Sequence, residues 1–493
     1  MTVQTNCVIS VVGRNSLHRQ WIKGQCDFDL HLIVYDDSIE EFRKDTDHVC
    51  QIKGYKLKNV FRYLISHIEL IDQYEYFFIP DDDILMSPET INSLFRAMRH
   101  YDLKIAQPSL TMSYYSWPHT LSDRYCRLRY TDFIEMMVPC FSREALRQVL
   151  FTFNENETGW GTESHWPWLI HTSHRDMAVI DEIKVRHTRP IQSGQEIHLR
   201  ELSAYLKKYH LPLTVTDYGS MPMESDEIYL CDRETFMRIR SAIGHWLESN
   251  VFHSTDVGQD GWFGYARCMC LYAELTQAEK FVDRAEDLLL QAMSRIGFVK
   301  DDMTFRHGIT GCCWMIEDLA GKGMLEEDPE EILEEPDRYI TAYEEKHQDS
   351  LTVMDLAGIG RYWLARLQNR DTDANREAYR NVASLLGKKI KEKGMSGDIS
   401  VAAYALEVMQ GAGSDIKNLL CEFEKHANRV DCTDTERAYT SYRLFRLSHD
   451  DFYIMKTREE LKNLRPELLT LDDALMLAEV LSYTINTQNT TRL

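Results

Sequence analysis

The sequence predicts two domains of different fold class. The first is an α/β domain with a mostly parallel, Rossmann-like sheet, and the second is an all-α domain of helical hairpins. Short β-type runs alternate with helical segments over about the first 200 residues. A stretch rich in proline and glycine follows at residues 211–222, and beyond it the chain has only helical patterns.

Length and charge exclude several classes of protein. The chain has 493 residues, more than one ordinary domain contains. Its 56 basic and 78 acidic residues give a net charge of −22, which repels nucleic acid and anionic membranes. No apolar stretch approaches the roughly 20 residues of a membrane-spanning helix, and no secretory leader pattern precedes the first strand. We therefore expect a cytoplasmic globular protein without a transmembrane segment or a nucleic-acid partner.

The α/β domain is predicted from alternating runs. Six β-type runs lie at residues 7–12, 29–35, 74–79, 104–107, 133–139 and 177–180. A helix with apolar residues at helical spacing is predicted from Leu57 to Ile71. Parallel strands joined by helices bring their carboxyl ends to one edge of a sheet, where ligands bind in such folds. Functional residues are therefore expected directly after the strands.

The helical domain is predicted from its glycine clusters. These lie at residues 261–264, 308–311 and 358–360. A spacing of roughly 50 residues is the length of a helical hairpin and favours a toroid or a solenoid. We predict an α/β domain at residues 1–210, a linker at 211–227 and the helical domain at 228–493.

Three consecutive carboxylates follow the third strand, at Asp81, Asp82 and Asp83. Carboxylates clustered at a strand end repel one another unless a cation neutralises them, and hard oxygen ligands suit Mg²⁺ or Mn²⁺. The alternative is an acidic turn that caps the following helix.

Three further segments favour a ligand site. Arg14 follows Gly13 directly after the first strand, where the phosphates of a nucleotide would lie. Trp160 precedes the carboxylate Glu163 in a glycine-rich turn, an arrangement that can stack on a sugar and accept a hydroxyl proton. His187 ends the last strand and could complete a metal site. Each has a plain alternative: a surface cation, a core aromatic and a buried strand-end histidine.

Taken in order, these segments resemble the GT-A fold glycosyltransferases, and in particular the β-1,4-galactosyltransferases. Residues 12–15 (VGRN) are similar to the PFRNR motif of that family, and residues 56–60 (KLKNV) to its KLLNV helix start. Residues 81–83 take the place of its Asp-Val-Asp metal motif, and residues 159–163 (GWGTE) resemble its GWGGE acceptor motif. His187 takes the place of its late metal-ligand histidine.

A second resemblance covers the same domain. Residues 135–143 (EMMVPCFSR), followed by Gly-Trp-Gly, are similar to a family of glycosyltransferase-like proteins of unknown function. Together the two resemblances extend over about residues 5–195. The GT-A resemblance implies that Asp81, Asp83 and His187 hold Mn²⁺ or Mg²⁺. The same resemblance implies that this ion would neutralise the phosphates of a nucleoside diphosphate sugar.

The GT-A resemblance also implies roles for the other site residues. The residues implied to bind the nucleotide-sugar are Arg14, Asp36, Lys56 and Asp82. Those implied to bind the acceptor are Trp160 and Gly161. The family motif continues Glu-Asp, with the aspartate as base, whereas Ser164 follows Glu163 here. Glu163 is therefore the first candidate base and Glu135 the second.

The glycine clusters of the helical domain resemble those of lanthionine synthetase C-like α/α toroids. The segments HGITG at 307–311 and DLAGIG at 355–360 carry this resemblance. The zinc-binding cyclases of that family have a Trp-Cys-Tyr-Gly and a Cys-His-Gly element, and the sequence here has neither. We therefore expect a toroid without zinc, in which His307 belongs to the structural repeat.

The predicted function is that of a metal-dependent glycosyltransferase. It would transfer a sugar from a nucleoside diphosphate donor, by resemblance UDP, to a hydroxyl of a glycan or peptide acceptor with inversion. The alternative is a non-catalytic scaffold in a peptide- or glycan-modification system, with a degenerate transferase fold and a zinc-less toroid.

Overall fold

A computed structural model describes residues 5–486, apart from 171–172, 191–194, 224–226, 250–253, 324, 326–327, 396–398, 428–431 and 467–468. The chain divides into two compact units. The α/β unit comprises Met1–Ser225 with Gln277–Glu279, and the helical unit comprises Asp226–Thr276 with Lys280–Leu493. No helix of the described residues is both long and apolar enough to cross a membrane.

The α/β unit alternates strands and helices. Its strands are β1 (Asn6–Val12), β2 (Asp29–Val34), β3 (His48–Gln51), β4 (Tyr76–Phe78), β5 (Ile84–Leu85), β6 (Ile105–Leu110), β7 (Cys126–Thr131), β8 (Cys140–Ser142), β9 (Met177–His187) and β10 (Asp217–Pro222). Its α-helices are α1 (His18–Trp21), α2 (Lys56–Ser66), α3 (Leu70–Gln73), α4 (Pro88–His100), α5 (Arg143–Val149), α6 (Trp166–Leu169) and α7 (Gln195–Tyr209).

These strands form one mixed sheet in the order β10-β7-β9-β6-β8-β4-β1-β2-β3, with β5 paired to β9 off this path. The strands β4, β1, β2 and β3 are mutually parallel, as are β6 and β9. β8 lies antiparallel between β4 and β6, and β7 and β10 are antiparallel at the other edge. The predicted α/β class is confirmed, although the sheet is mixed rather than mostly parallel.

Three local predictions differ from the structure. Residues 133–139 form no strand, because their apolar side chains are buried in a loop whose carbonyls at Met137 and Pro139 accept hydrogen bonds from Asp81 and Ile79. The predicted helix from Leu57 to Ile71 ends at Ser66 and resumes as α3 at Leu70. The predicted linker at 211–227 contains β10, which joins the sheet, and its residues 224–226 lie outside the described residues.

Burial in the core of the α/β unit explains why the sequence predicted its strands. Every residue of β1 is buried, so the strand reads as a continuous apolar run, as expected for a strand covered on both faces. α2 contributes Leu57, Val60 and Leu64 to the core that contains Ile9 and Phe77. This packing fixes the carboxyl ends of β1 and β4 beside each other.

The helical unit is described by α-helices and one short strand pair. Its helices are α8 (Arg233–Ser249), α9 (Trp262–Thr276), α10 (Lys280–Met293), α11 (Ile309–Gly321), α12 (Pro329–His347), α13 (Val353–Asn369), α14 (Asp373–Lys393), α15 (Ile399–Gly411), α16 (Lys417–Ala427), α17 (Asp434–Ser448), α18 (Asp451–Asn463) and α19 (Leu471–Ser482). Strands β11 (Glu227–Tyr229) and β12 (Thr484–Asn486) pair antiparallel. The predicted all-helical class of this region is confirmed.

Alternate helices of this unit form a closed series. α9, α11, α13, α15, α17 and α19 each contact the next, and α19 contacts α9; we call these the core helices. Two glycines of the predicted clusters sit where backbones meet. A Cβ at Gly264 would overlap the carbonyl oxygen of Gln259, and one at Gly311 that of Phe305. Only glycine permits so close an approach at the helix starts.

Each core helix contributes one charged side chain to a continuous network, which we call the charge ring. In spatial order its members are Asp318, Arg267, Glu479, Arg443, Glu407 and Arg361, whose charges alternate in sign. Arg267 Nε lies 2.9 Å from Asp318 Oδ2, and Arg443 Nη1 lies 2.9 Å from Glu479 Oε1. The Arg361 guanidinium lies 5.3 Å from the ring centroid of Trp314 on α11. This cation–π contact connects Arg361 on α13 to α11, the helix that carries Asp318.

We predict that Glu479→Gln destabilises the helical unit. Burial opposes ionisation of Glu479, but Arg443, Arg267 and Arg361 lower its pKa to about 2. Removing one partner of a buried ion pair leaves uncompensated charge and costs about 3–5 kcal/mol. Urea unfolding at pH 7 would measure the loss, with Glu392→Gln at an exposed position of α14 as the control.

The destabilisation caused by Glu479→Gln should depend on pH. A carboxyl whose folded pKa is depressed stabilises the fold above its unfolded pKa, and this contribution fades as pH falls towards the folded value. The difference between wild type and Glu479→Gln should therefore shrink between pH 7 and pH 3. An equal difference at both pH values would contradict an ionised Glu479 in the folded state.

Candidate active site

Strand pairing brings the predicted site segments together. β1 and β4 are adjacent and parallel, so the Gly13 turn and the acidic triplet 81–83 emerge side by side. β5 follows the triplet and pairs with the end of β9, with Ile84 opposite His187. This pairing places His187 next to Asp83, although 104 residues separate them in the sequence.

The three aspartates have different partners. Asp81 Oδ1 lies 2.6 Å from Lys56 Nζ. Asp82 Oδ2 accepts a hydrogen bond of 3.0 Å from the backbone N–H of Gly13. Asp83 Oδ1 lies 3.2 Å from His187 Nε2. Burial raises the pKa of Asp82 to about 6 and also raises the pKa of Asp81, so the triplet holds negative charge at an energetic cost.

Asp81, Asp83 and His187 form a cluster that fits a divalent cation. Each offers one ligand atom, and these atoms all lie within 4.8 Å of one another. His187 Nδ1 lies 3.0 Å from the carbonyl oxygen of Tyr114, to which it can donate, leaving Nε2 to face Asp83. Apart from His187 Nε2, the buried Asp83 Oδ1 has no hydrogen-bond partner among the described residues. Two carboxylates and an oriented imidazole at this spacing suit Mn²⁺ or Mg²⁺.

The pKa of His187 reflects its position beside two carboxylates. Burial alone would lower its pKa, but the carboxylates of Asp83 and Asp81 raise it above the ordinary histidine value. The cluster therefore favours positive charge at this point, whether as a proton or as a cation.

Lys56 contacts the metal cluster through Asp81. Besides the contact with Asp81, its Nζ donates to the carbonyl oxygens of Met136 at 2.7 Å and Met137 at 2.9 Å. Lys56, expected to contact the nucleotide, therefore has three partners within the protein. Burial lowers the pKa of Lys56, and Asp81 raises it.

Arg14 and Asp36 lie at the neighbouring strand ends. Asp36 Oδ2 accepts a hydrogen bond of 3.0 Å from the backbone N–H of Arg14, which ties the turn after β1 to the turn after β2. The Arg14 side chain is 69% exposed, and its Nε donates to Glu41 Oε1 at 3.1 Å. Both residues therefore border the turn that carries Gly13.

Sequence reasoning missed two residues at this site. Tyr35 packs against the backbone of Gly13, where a Cβ would overlap its hydroxyl group. Arg189 Nη1 lies 3.5 Å from Asp82 Oδ1 and 4.0 Å from Asp83 Oδ2. The available signals were an aromatic residue directly after β2 and a cation two residues beyond His187.

The two candidate bases are both buried. Glu163 Oε2 accepts a hydrogen bond of 3.0 Å from the Gly161 N–H, and Glu135 Oε1 accepts one of 3.3 Å from the Ser116 N–H. Glu135 Oε2 has no hydrogen-bond partner among the described residues. Burial is the main reason that the pKa of each is raised to about 7, and the charge of Glu135 contributes to the rise at Glu163. The charge of His187 lowers the pKa of Glu135, so Glu135 is coupled electrostatically to the metal cluster.

Trp160 and Gly161 lie in a tight turn that needs its glycines. Gly159 has φ +83° and Gly161 has φ +96°, both in the region that disfavours other residues. The Trp160 ring is half-buried and lies 5.1 Å from the ring of His198 on α7, centroid to centroid. The turn therefore presents one indole beside the buried Glu163.

Comparison with known proteins gives only distant structural likenesses. No family model and no curated protein matches the chain. CMP:2-keto-3-deoxy-manno-octonic acid synthetase complexed with CTP aligns at 8% identity and a TM-score of 0.24, covering 41% of this chain and 99% of that one. Mannose-1-phosphate geranyltransferase from Thermus thermophilus aligns at 12% identity and a TM-score of 0.21, covering 38% and 75%. Scores this low carry no argument about fold or function.

We predict that Glu135→Gln changes how stability depends on pH. A carboxyl whose folded pKa is raised to about 7 stabilises the fold at low pH and loses this contribution as pH rises through that value. Relative to wild type, the variant should therefore gain about 2 kcal/mol between pH 5 and pH 8. Chemical unfolding in chelator-containing buffer measures this change. Glu144→Gln, at an exposed position of α5, should show no such gain, and an equal response of the two variants would refute the assignment.

Proposed function

We propose that the α/β unit is a metal-dependent glycosyltransferase. It would transfer a sugar from a nucleoside diphosphate donor, in the first instance a UDP-sugar, to an acceptor hydroxyl with inversion. The observation that carries the proposal is the cluster of Asp81, Asp83 and His187, which lies beside β4 and β9 and is coupled electrostatically to Glu135.

In this proposal the donor lies over the acidic triplet. Asp81, Asp83 and His187 would hold Mn²⁺ or Mg²⁺, which when bound neutralises charge on the leaving diphosphate. Arg189 lies beside the carboxylates of Asp82 and Asp83 and is partly exposed, so its guanidinium can also donate to a phosphate. Lys56 keeps the carboxylate of Asp81 oriented, and Asp82 fixes the Gly13 turn.

The nucleoside would lie across the ends of β1 and β2. The exposed Tyr35 ring offers a flat face for a base, and the Arg14 side chain extends into solvent nearby. Asp36 holds the Arg14 backbone, and a ribose hydroxyl would donate to its partly exposed carboxylate.

The acceptor hydroxyl would lose its proton to a buried carboxylate. A carboxyl with a pKa of about 7 is ionised in part at neutral pH and is a stronger base than an ordinary glutamate. The acceptor oxygen forms a bond to the anomeric carbon as the bond to the diphosphate breaks on the opposite face, which inverts the configuration. Glu163 is the preferred base because it shares its turn with Trp160, and Glu135 is the second candidate.

For the helical unit we infer a lanthionine synthetase C-like toroid that recognises the acceptor or serves as a scaffold. The closed series of core helices and the close backbone approach at Gly264 and Gly311 support this assignment.

We predict that a nucleoside diphosphate and Mn²⁺ together raise the unfolding midpoint. A ligand at roughly 100 times its Kd stabilises the native state by about 3 kcal/mol. The shift should require both components and vanish in Asp83→Asn, because that change removes a metal ligand. Differential scanning with UDP, GDP, CDP and ADP, each with and without Mn²⁺, is the measurement.

The control for this experiment is Asp72→Asn, an exposed aspartate that pairs with Arg147. It should respond to UDP and Mn²⁺ as wild type does. If no nucleoside diphosphate shifts the wild-type midpoint at millimolar concentration, the transferase proposal fails and the non-catalytic scaffold becomes the better assignment.

We further predict that Glu163→Gln lowers turnover by about 10²–10⁴-fold, the range that general base catalysis contributes. Release of UDP from a UDP-sugar, in the presence of the acceptors that wild type accepts, is the readout. Binding of UDP and Mn²⁺ should stay unchanged, since Glu163 lies outside the metal cluster. A larger loss in Glu135→Gln than in Glu163→Gln would transfer the role of base to Glu135.

A further inference from the structure

A second cleft opens on the α/β unit, and none of the metal-cluster residues lines it. It has a volume of about 250 Å³. We call it the lateral cleft; its lining includes Asp132, Ser164, Pro167, Trp168 and Tyr218. These residues come from the end of β7, from the start of α6 and the residues just before it, and from β10. None of them was singled out as a ligand-binding residue from the sequence.

The lateral cleft exposes an indole. The Trp168 residue is 62% exposed, although a tryptophan is one of the largest apolar groups that a protein can bury. Tyr218 is half-buried in the same cleft. A flat apolar ring at the wall of a small cleft that also contains polar groups is suited to a ligand that has an apolar face and hydroxyl groups at its edge.

The polar groups of the lateral cleft can recognise hydroxyls. Asp132 accepts hydrogen bonds from the Thr216 N–H at 2.7 Å and from the Tyr218 hydroxyl at 3.3 Å, one on each carboxylate oxygen. Each oxygen retains a lone pair for a further donor. Its carboxylate is thus oriented by the protein without being saturated.

Ser164 supplies the second polar observation. The residue is only 5% exposed, and its buried hydroxyl has no hydrogen-bond partner among the described residues. A buried hydroxyl without a partner costs free energy in the folded state. Ser164 lines the lateral cleft, so a ligand hydroxyl that reached its Oγ would remove this cost, because each hydroxyl can donate to or accept from the other.

The position of Ser164 relates the lateral cleft to the proposed chemistry. Ser164 directly follows Glu163, the preferred base, so one wall of the cleft is continuous with the catalytic turn. The cleft volume is slightly below the roughly 300–1,000 Å³ of sites for drug-sized molecules. It therefore suits a single sugar ring better than a structured peptide segment.

We propose that the lateral cleft binds one saccharide unit of the acceptor, so that the acceptor is a glycan rather than a peptide. This inference rests on the proposed function. The apolar face of the sugar would stack on Trp168, while its hydroxyls would donate to Asp132 and exchange hydrogen bonds with Ser164.

Saccharide binding without nucleotide or metal tests the inference. Saturation-transfer NMR with methyl glycosides of hexoses and N-acetylhexosamines should detect millimolar binding by wild type. Trp168→Ala should weaken it by about tenfold or more, as expected for a lost stacking platform. Phe452→Ala, which removes a 61% exposed aromatic residue on α18, is the matched control and should bind as wild type does.

Ser164→Ala provides a second variant whose folding is not at risk, since the hydroxyl has no partner to lose among the residues that the structure describes. It should weaken saccharide binding several-fold and leave the unfolding midpoint of the free protein unchanged or higher. The inference is overturned if no glycoside binds, or if binding survives both Trp168→Ala and Ser164→Ala.

The two proposals fail in different ways. A nucleotide-dependent midpoint shift without glycoside binding would overturn the acceptor inference alone. Glycoside binding lost in Trp168→Ala, without any nucleotide response, would support the lateral cleft as a saccharide site and overturn the transferase proposal.

Discussion

The accumulation of negative charge in the buried end of the sheet constrains the rest of the α/β unit. Burial opposes ionisation of the acidic triplet and of both candidate bases, so the surrounding structure must supply positive groups and N–H donors. Lys56, Arg189 and His187 come from distant parts of the chain to do so. The pairing of β5 with β9 matters for this reason: it holds the imidazole against the Asp83 carboxylate, whose Oδ1 has no other hydrogen-bond partner among the described residues.

The sequence predicted the elements whose burial is uniform. β1 and β2 could be predicted because they are apolar along nearly their whole length. Residues 133–139 carry the same signal but lie in a buried loop, because local apolarity reports burial and says nothing about a pairing partner. β7 was missed because its two arginines interrupt the apolar pattern, and β10 was missed because it is largely exposed.

At the site, the sequence could identify residues that follow strands but could not determine where long side chains end. The proximity of Asp81, Asp83 and His187 was predicted from their positions in a known motif order. The contact between Lys56 and Asp81 depends on the path of a flexible side chain past Met136 and Met137, which no spacing encodes. The sequence did not predict the lateral cleft for a related reason, because its lining comes from segments with no shared motif.

The closure of the core helices has a consequence for how the helical unit is made. α9 is among the first helices of this unit to be synthesised and α19 is the last described one, yet the two are in contact and Glu479 bridges Arg267 and Arg443. A nascent chain that still lacks α19 holds two arginines without their shared carboxylate and leaves one side of α9 uncovered. Contacts between such distant parts of a chain form slowly. Completion of this unit must therefore wait until α19 has been translated, so loss of that helix is more damaging here than loss of a terminal helix from an open array of equal length.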